Sequence, residues 1–161
     1  MMPRRARSLA PPKQDLPRRP RVYAAHPKSC YGTTHAASQL ACLAELLPGA
    51  EIVDPETLRW RTEEQWRRSW PKVLGGLSSF VVFAGTDGTI GAGCIRELTD
   101  ALVRNVPIAG FHEGSLRTIE GIELLPVPFR SARSTALLLL ADPIDPGKFA
   151  PSGEPQERTY L

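Results

Sequence analysis

The chain of 161 residues has only three cysteines, Cys30, Cys42 and Cys94, scattered along its length. An odd, dispersed set excludes a disulfide framework and points to a reducing, cytoplasmic setting. No apolar run is long enough to cross a bilayer; "STALLLLAD" is far too short, so no membrane partner is expected. No internal repeat is present. A secretory leader needs an apolar core, and the first twenty residues, "MMPRRARSLAPPKQDLPRRP", lack one. They are rich in Pro and Arg and are expected to form a disordered, basic tail. Residues 1–21 hold seven basic side chains against one acidic, Asp15, while the whole chain carries a net charge of only +3. The rest is therefore mildly acidic and lacks the footprint of a nucleic-acid binder. Nucleic acid is expected only as a weak partner of the tail, acting as an anion-binding arm.

What is present between residues 21 and 142 alternates strand and helix. "RVYAAHP" reads as a first strand ending at Pro27, followed by the loop "KSCYGTT". Thr34 is placed to cap a helix whose Ala37, Leu40, Ala41, Ala44 and Leu47 recur at helical spacing. "AEIVDP" is a second strand. "TEEQWRRSWPKVLGGL" has a Thr cap and an acidic first turn, with a kink or break expected at Pro71. "SSFVVFAG" is apolar on consecutive residues, as a central strand covered on both faces should be. The helix "GAGCIRELTDALVRN" follows, with Ile95, Leu98, Ala101 and Leu102 as its expected apolar face. "VPIAGFHEG" is a fourth strand and "TIEGIELLPVPF" holds a fifth. "SARSTALLLLAD" is ambiguous between helix and strand. Residues 143–161 read as a loose tail with Phe149 or Tyr160 as anchors.

This order predicts an α/β domain with a doubly wound parallel sheet of about five strands, a Rossmann-like or flavodoxin-like three-layer sandwich. Ligands of such sheets bind beyond the carboxyl ends of the strands. Three segments converge there: "HPKSCYGTT", the stretch after Asp54, and "GTDGTIGAG".

The last of these continues as "DGTIGAGCIRE", Asp87 to Glu97. A P-loop needs Lys-Ser or Lys-Thr after its final glycine, and here Cys94-Ile95 follows. The dinucleotide fingerprint belongs after the first strand and needs a third glycine that "GAGCIR" lacks. The glycines instead allow close backbone approach at a helix N-terminus. Asp87 and Glu97 are candidates for a carboxylate pair acting at an anomeric carbon, although a Glu early in a helix also serves simply as dipole complement. His26, Cys30 and His35 cluster around the first loop, but their spacing and the want of a fourth partner give no metal site, and no metal or cofactor is expected. His26 reads as a crevice-lining polar residue, and Tyr31, Gly32 and Thr33 as loop contacts to a sugar or phosphate. Cys94 reads as a small core residue.

The segment "FVVFAGTDGTIGAGCIRELTDALVRNVPIAGF" resembles the nucleoside 2-deoxyribosyltransferase family: a strand, a loop with Asp and Gly, a helix whose early Glu opens an E-L-x-x-A-L run, and a short strand. "VYAAHP" is similar to the family's first strand. The resemblance spans about residues 21–113. It implies cleavage or transfer at the N-glycosidic bond of a nucleoside or nucleotide. Glu97 would be the nucleophile, Tyr23 its neighbour, and Asp87 the contact to the base or a proton relay. Gly88, Thr89, Gly91 and Gly93 would lie against the sugar. The family carries a further Asp on the helix before the third strand, where "RRSWPKVL" has none; Trp66 and Trp70 are then candidates to stack on a base, or core residues. The resemblance also implies a homo-oligomer. Related hydrolases use water as acceptor, and more distant relatives cleave NAD-like molecules or bind nucleotide-derived signals without turnover. A partner-binding α/β domain with no ligand is the remaining alternative.

Overall fold

Residue burial along Ser79–Phe83 is complete, and the sheet is built outward from this strand. A computed structural model describes residues 18–126 and 134–150. The strands are β1 (Arg21–Ala25), β2 (Glu51–Val53), β3 (Ser79–Phe83), β4 (Thr89–Gly91), β5 (Ile108–His112), β6 (Ser115–Leu124) and β7 (Thr135–Pro143). The helices are α1 (Thr34–Leu46), α2 (Glu63–Gly75), α3 (Ala92–Val103) and the short α4 (Pro146–Phe149). The strands form one sheet in the order β2-β1-β3-β5-β6-β7-β4. The first four are mutually parallel, with Tyr23 beside Phe80 and Phe80 beside Ile108. The last three are antiparallel to their neighbours.

The expected α/β class and parallel centre are thus present, but the sheet has seven strands and is mixed. The turn Glu113–Gly114, both at positive φ, folds β6 straight back on β5. No crossover helix intervenes, so the pairing must be antiparallel. The ambiguous stretch after residue 134 is strand β7, with Ala136 and Leu138 inward. Three residues of the glycine loop form β4, which pairs with β7 at the sheet edge. The basic tail lies outside the described residues up to residue 17, as do residues 127–133 and residues 151–161 with Tyr160.

Helices cover both faces. One core layer joins α2 and α3 to Tyr23, Phe80 and Val82. The other joins α1 to Val22, Ala24, Val81 and Phe83, and also takes in Phe149 from α4. The buried phase of α1 is Ala36 and Leu43, with Leu47 just beyond; Ala37, Ala41 and Ala44 face solvent. The leucines outbid the alanines because each removes more apolar area from water. The buried stripe of α3 is Cys94, Glu97, Leu98 and Ala101, and Leu102 is 58% exposed. Helix α2 runs unbroken through Pro71.

Thr33, not Thr34, caps α1: its Oγ1 accepts from the Ala36 N–H at 3.2 Å. It also donates to the Cys30 carbonyl at 2.6 Å, tying the cap to the loop after β1. Thr33→Ala removes both bonds. The expected cost is about 1 kcal/mol, read as a fall in Tm of roughly 2–4 °C by calorimetry.

Candidate active site

The chain reverses its direction of winding between β1 and β3, since β1 leads through α1 to one side and β3 through α3 to the other. The carboxyl ends of these two strands are therefore the switch point of the sheet, where α/β folds leave a crevice. A cleft of about 390 Å³ opens there. Its walls come from the loop after β1 and the start of α1 (Ser29, Cys30, Thr33, His35), and from the glycine loop (Asp87, Thr89).

Asp87 belongs to a turn at this cleft. Its Oδ1 accepts from Thr89 N–H at 3.1 Å and Thr89 Oγ1 at 2.7 Å. These bonds hold its carboxyl below the usual range. The turn closes with Gly88 N–H on the Gly85 carbonyl, and Gly88 adopts φ +79, which a side chain would strain. Gly91 ends β4 and precedes α3, and Gly93 is exposed in the first turn of that helix. Gly32, at φ +70, donates its N–H to Glu56 Oε2 at 3.1 Å.

Glu97 lies in the second turn of α3, on the stripe that faces the sheet, and is 9% exposed. Tyr23, 74 residues earlier, donates its hydroxyl to Glu97 Oε1 at 3.1 Å. Trp66 Nε1 donates to the same oxygen at 3.0 Å. Among the described residues no donor reaches Oε2. Burial pushes the Glu97 carboxyl up to about 7, against the pull of the two donors and of Lys28. Burial and the adjacent carboxylate raise the Tyr23 phenol far above its ordinary range, so it remains a donor. Tyr31, half-buried, also lies within the field of Glu97. Neither Glu97 nor Tyr23 lines the cleft; Cys30 does, and its neighbour in sequence, Tyr31, lies within the field of Glu97.

Of the two readings of Trp66 and Trp70, base stacking or core, packing within the protein is what the fold gives both rings. Trp66 lies under the Arg96 guanidinium at 4.3 Å and stacks on Trp70 at 5.9 Å. Trp70 is 2% exposed, meets Tyr23 edge-on at 5.0 Å, and donates Nε1 to Asp100 Oδ2 at 2.9 Å. Arg96 is bound in turn by Glu63 at 3.1 Å. The two tryptophans thus present their N–H groups to two carboxylates of α3. Sequence reasoning missed this ladder, although the signal is there: Trp at i and i+4 on one helix and acids at i and i+3 on the next.

His26 is 4% exposed on the α1 face. Its ring stacks on Phe83 at 4.0 Å and donates Nδ1–H to the Ala24 carbonyl at 3.2 Å. Burial lowers its pKa, keeping the imidazole neutral. The structure therefore brings Tyr23, Glu97 and Trp66 together. It places Asp87, Thr89, Gly91 and Thr33 around the adjoining cleft and His26 on the other side of the sheet.

A raised carboxyl pKa has a sign in stability. Folded Glu97 holds its proton more tightly than an unfolded Glu, so its contribution is full below pH 4.5 and is lost as pH rises through about 7. Glu97→Gln keeps the acceptor for both donors without the buried charge. Its stability relative to wild type should be level near pH 4.5 and rise to a gain of about 3 kcal/mol at most by pH 8. Urea unfolding at several pH values reads this directly. Comparison with protein-family models, with curated proteins and with solved structures finds no match for the chain.

Proposed function

We propose that the protein cleaves or transfers an N-glycosidic bond of a nucleoside or nucleotide, with Glu97 as nucleophile. The observation that carries this reading is the Tyr23–Glu97 hydrogen bond, which joins two residues distant in sequence beside the switch-point cleft. A carboxylate suits an anomeric carbon because the transition state there is oxocarbenium-like and positive. Glu97 uses one oxygen for its two donors, and Oε2 is the oxygen that attacks C1′. Tyr23 and Trp66 fix the rotamer and favour the ionised form. The sugar lies against the glycine loop and passes Tyr31 to reach Glu97. The leaving base departs into the cleft, where Asp87 is the carboxylate at hand to hold it or relay a proton. The sugar then passes to water or to a second base, and the enzyme works as a homo-oligomer in the cytoplasm.

The test is mass-spectrometric detection of free base from a panel of ribo- and deoxyribonucleosides, their 5′-phosphates and NAD. Release by wild type and none by Glu97→Ala is the expected result. A second reading, binding of a nucleotide derivative without turnover, is favoured by the near-complete burial of Glu97. It predicts ligand-induced thermal stabilisation with no base released.

A further inference from the structure

Helices α2 and α3 face each other with one stripe apiece. The stripe of α2 is Glu63, Trp66 and Trp70, at i, i+3 and i+7, and that of α3 is Arg96, Glu97 and Asp100. Side chains pair across the gap in order, like rungs. Arg96 donates to Glu63 Oε1 at 3.1 Å, Trp66 Nε1 to Glu97 Oε1 at 3.0 Å, and Trp70 Nε1 to Asp100 Oδ2 at 2.9 Å. The rungs differ in burial. Trp70 is inside the core, Trp66 is half-buried, and Arg96 and Glu63 are exposed.

This gradient sets a problem for the middle rung. One indole N–H must stay aimed at one carboxylate oxygen, and hydrogen bonds weaken steeply as alignment is lost. Burial fixes Trp70, but Trp66 is too open to be fixed in that way. Stacking on Trp70, at 5.9 Å with 16° between the planes, orients the Trp66 ring from within. The exposed contact is Arg96, whose guanidinium lies over the same ring at 4.3 Å. A planar cation above an indole is a favourable pairing, and it restrains the ring. Arg96 is itself held. Glu63 Oε1 also accepts from Arg67, Nε at 3.2 Å and Nη2 at 2.8 Å, and Arg96 and Arg67 keep this carboxyl below its usual range. The start of α2 fixes Glu63 in turn. Thr62 Oγ1 accepts from the Gln65 N–H at 3.2 Å, and Gln65 Oε1 from the Arg61 N–H at 2.8 Å.

We propose that Arg96, anchored by Glu63, is a positioning residue that holds the Trp66 indole on Glu97. Its consequence for catalysis rests on Glu97 as the nucleophile. Arg96 directly precedes Glu97, so one turn of α3 supplies both the carboxylate and the clamp on its donor. A fixed donor favours the ionised carboxylate, so loosening it moves the Glu97 titration to higher pH. The other groups that face Glu97 are Tyr23 from β1, Lys28 and Tyr31 from the loop after β1, and Cys94 and Asp100 from α3 itself. Replacing Arg96 alters none of these side chains.

The experiment is an NMR titration of the glutamate side-chain carboxyls in the full chain, the Glu97 signal being the one absent from Glu97→Gln. It is read on the protein alone and decides the proposal whether or not base is released. Trp66→Phe should raise the Glu97 pKa by about one unit, the loss of one hydrogen bond to a charged group. Arg96→Ala should raise it by about half a unit, and Glu63→Gln by less. Arg96→Lys keeps the cation but not the planar fork, and should fall between wild type and Arg96→Ala. Arg68→Ala, whose partner is Glu64, should leave the titration in place. The decisive variant is the double one. In Trp66→Phe, adding Arg96→Ala should move the pKa by less than about 0.2 units, because the two act in series. In base release, Arg96→Ala should lower kcat/KM about threefold at pH 6 and leave it unchanged at pH 9. An unmoved Glu97 titration in Arg96→Ala overturns the proposal. So does the same shift with and without the Trp66 indole, which makes Arg96 a charge acting on Glu97 directly. A loss of base release that is equal at pH 6 and pH 9 overturns it as well.

Discussion

Glu97→Ala should lower base release by at least about 10³-fold, near 4 kcal/mol of transition-state free energy, because no other described carboxylate hydrogen-bonds with Tyr23. Alanine alone does not separate chemistry from packing, since it also orphans the Tyr23 hydroxyl and the Trp66 indole. Glu97→Gln does. It should be as inactive as the alanine variant, yet more stable than wild type above pH 7. A residue retained for structure alone gives no such opposition of stability and activity. The pH profile supplies the third arm. With the carboxyl at about 7, kcat/KM should rise through an apparent pKa near 7 as Glu97 ionises. Trp66→Phe removes a donor that favours the carboxylate, so the rising limb should move to higher pH. A limb that stays in place in Trp66→Phe means that a different group is titrating. A Glu97→Gln variant with wild-type base release sinks the nucleophile altogether.

The parallel centre of the sheet was legible because β3 is apolar on four consecutive residues, Phe80 to Phe83, and its loop carries glycines at a helix start. The switch-point cleft followed from element order alone. The antiparallel half was harder to read. β6 mixes Arg117, Glu120 and Gly121 into a ten-residue strand, and its faces are only partly buried. β4 has three residues and exists only because β7 is beside it. On α1 two helical phases were available, and bulk decided for Leu40, Leu43 and Leu47 over the alanines. On α3 the inward stripe contains a glutamate, and a reading by hydropathy puts such a residue outside. That same misfit is what marks Glu97. A carboxylate on the buried stripe, with a tyrosine and a tryptophan aimed at one of its oxygens, is where the local rule and the fold disagree, and such places are enriched in function. The Tyr23–Glu97 pairing came from the resemblance. The indole–carboxylate ladder came only from three dimensions, because Trp66 and Glu97 are 31 positions apart.

Trp70→Ala should destabilise the fold by about 3–5 kcal/mol, a large share of the roughly 5–15 kcal/mol that holds a domain of this kind together. Three effects act in the same direction. The ring is buried at the centre of the aromatic group, edge-on to Tyr23 and Trp60 and stacked on Trp66. Its removal leaves a cavity beneath α2 that the sheet cannot close, since Tyr23 is also stacked on Phe80. The indole N–H is lost as well, which strips a donor from Asp100 in a half-buried position. Trp70→Phe separates these terms: it keeps most of the packing and loses only the donor, so it should cost about 1–2 kcal/mol. Thermal or urea unfolding of the two variants reads the difference. The consequence reaches Glu97, because Trp66 is positioned by stacking on Trp70 and Tyr23 by its edge contact with the same ring. Folded Trp70→Phe should therefore keep base release within about tenfold of wild type, since both donors to Glu97 stay in place. If Trp70→Ala unfolds at the wild-type urea midpoint, the aromatic group is not a unit, and the account of how both donors are held on Glu97 fails with it.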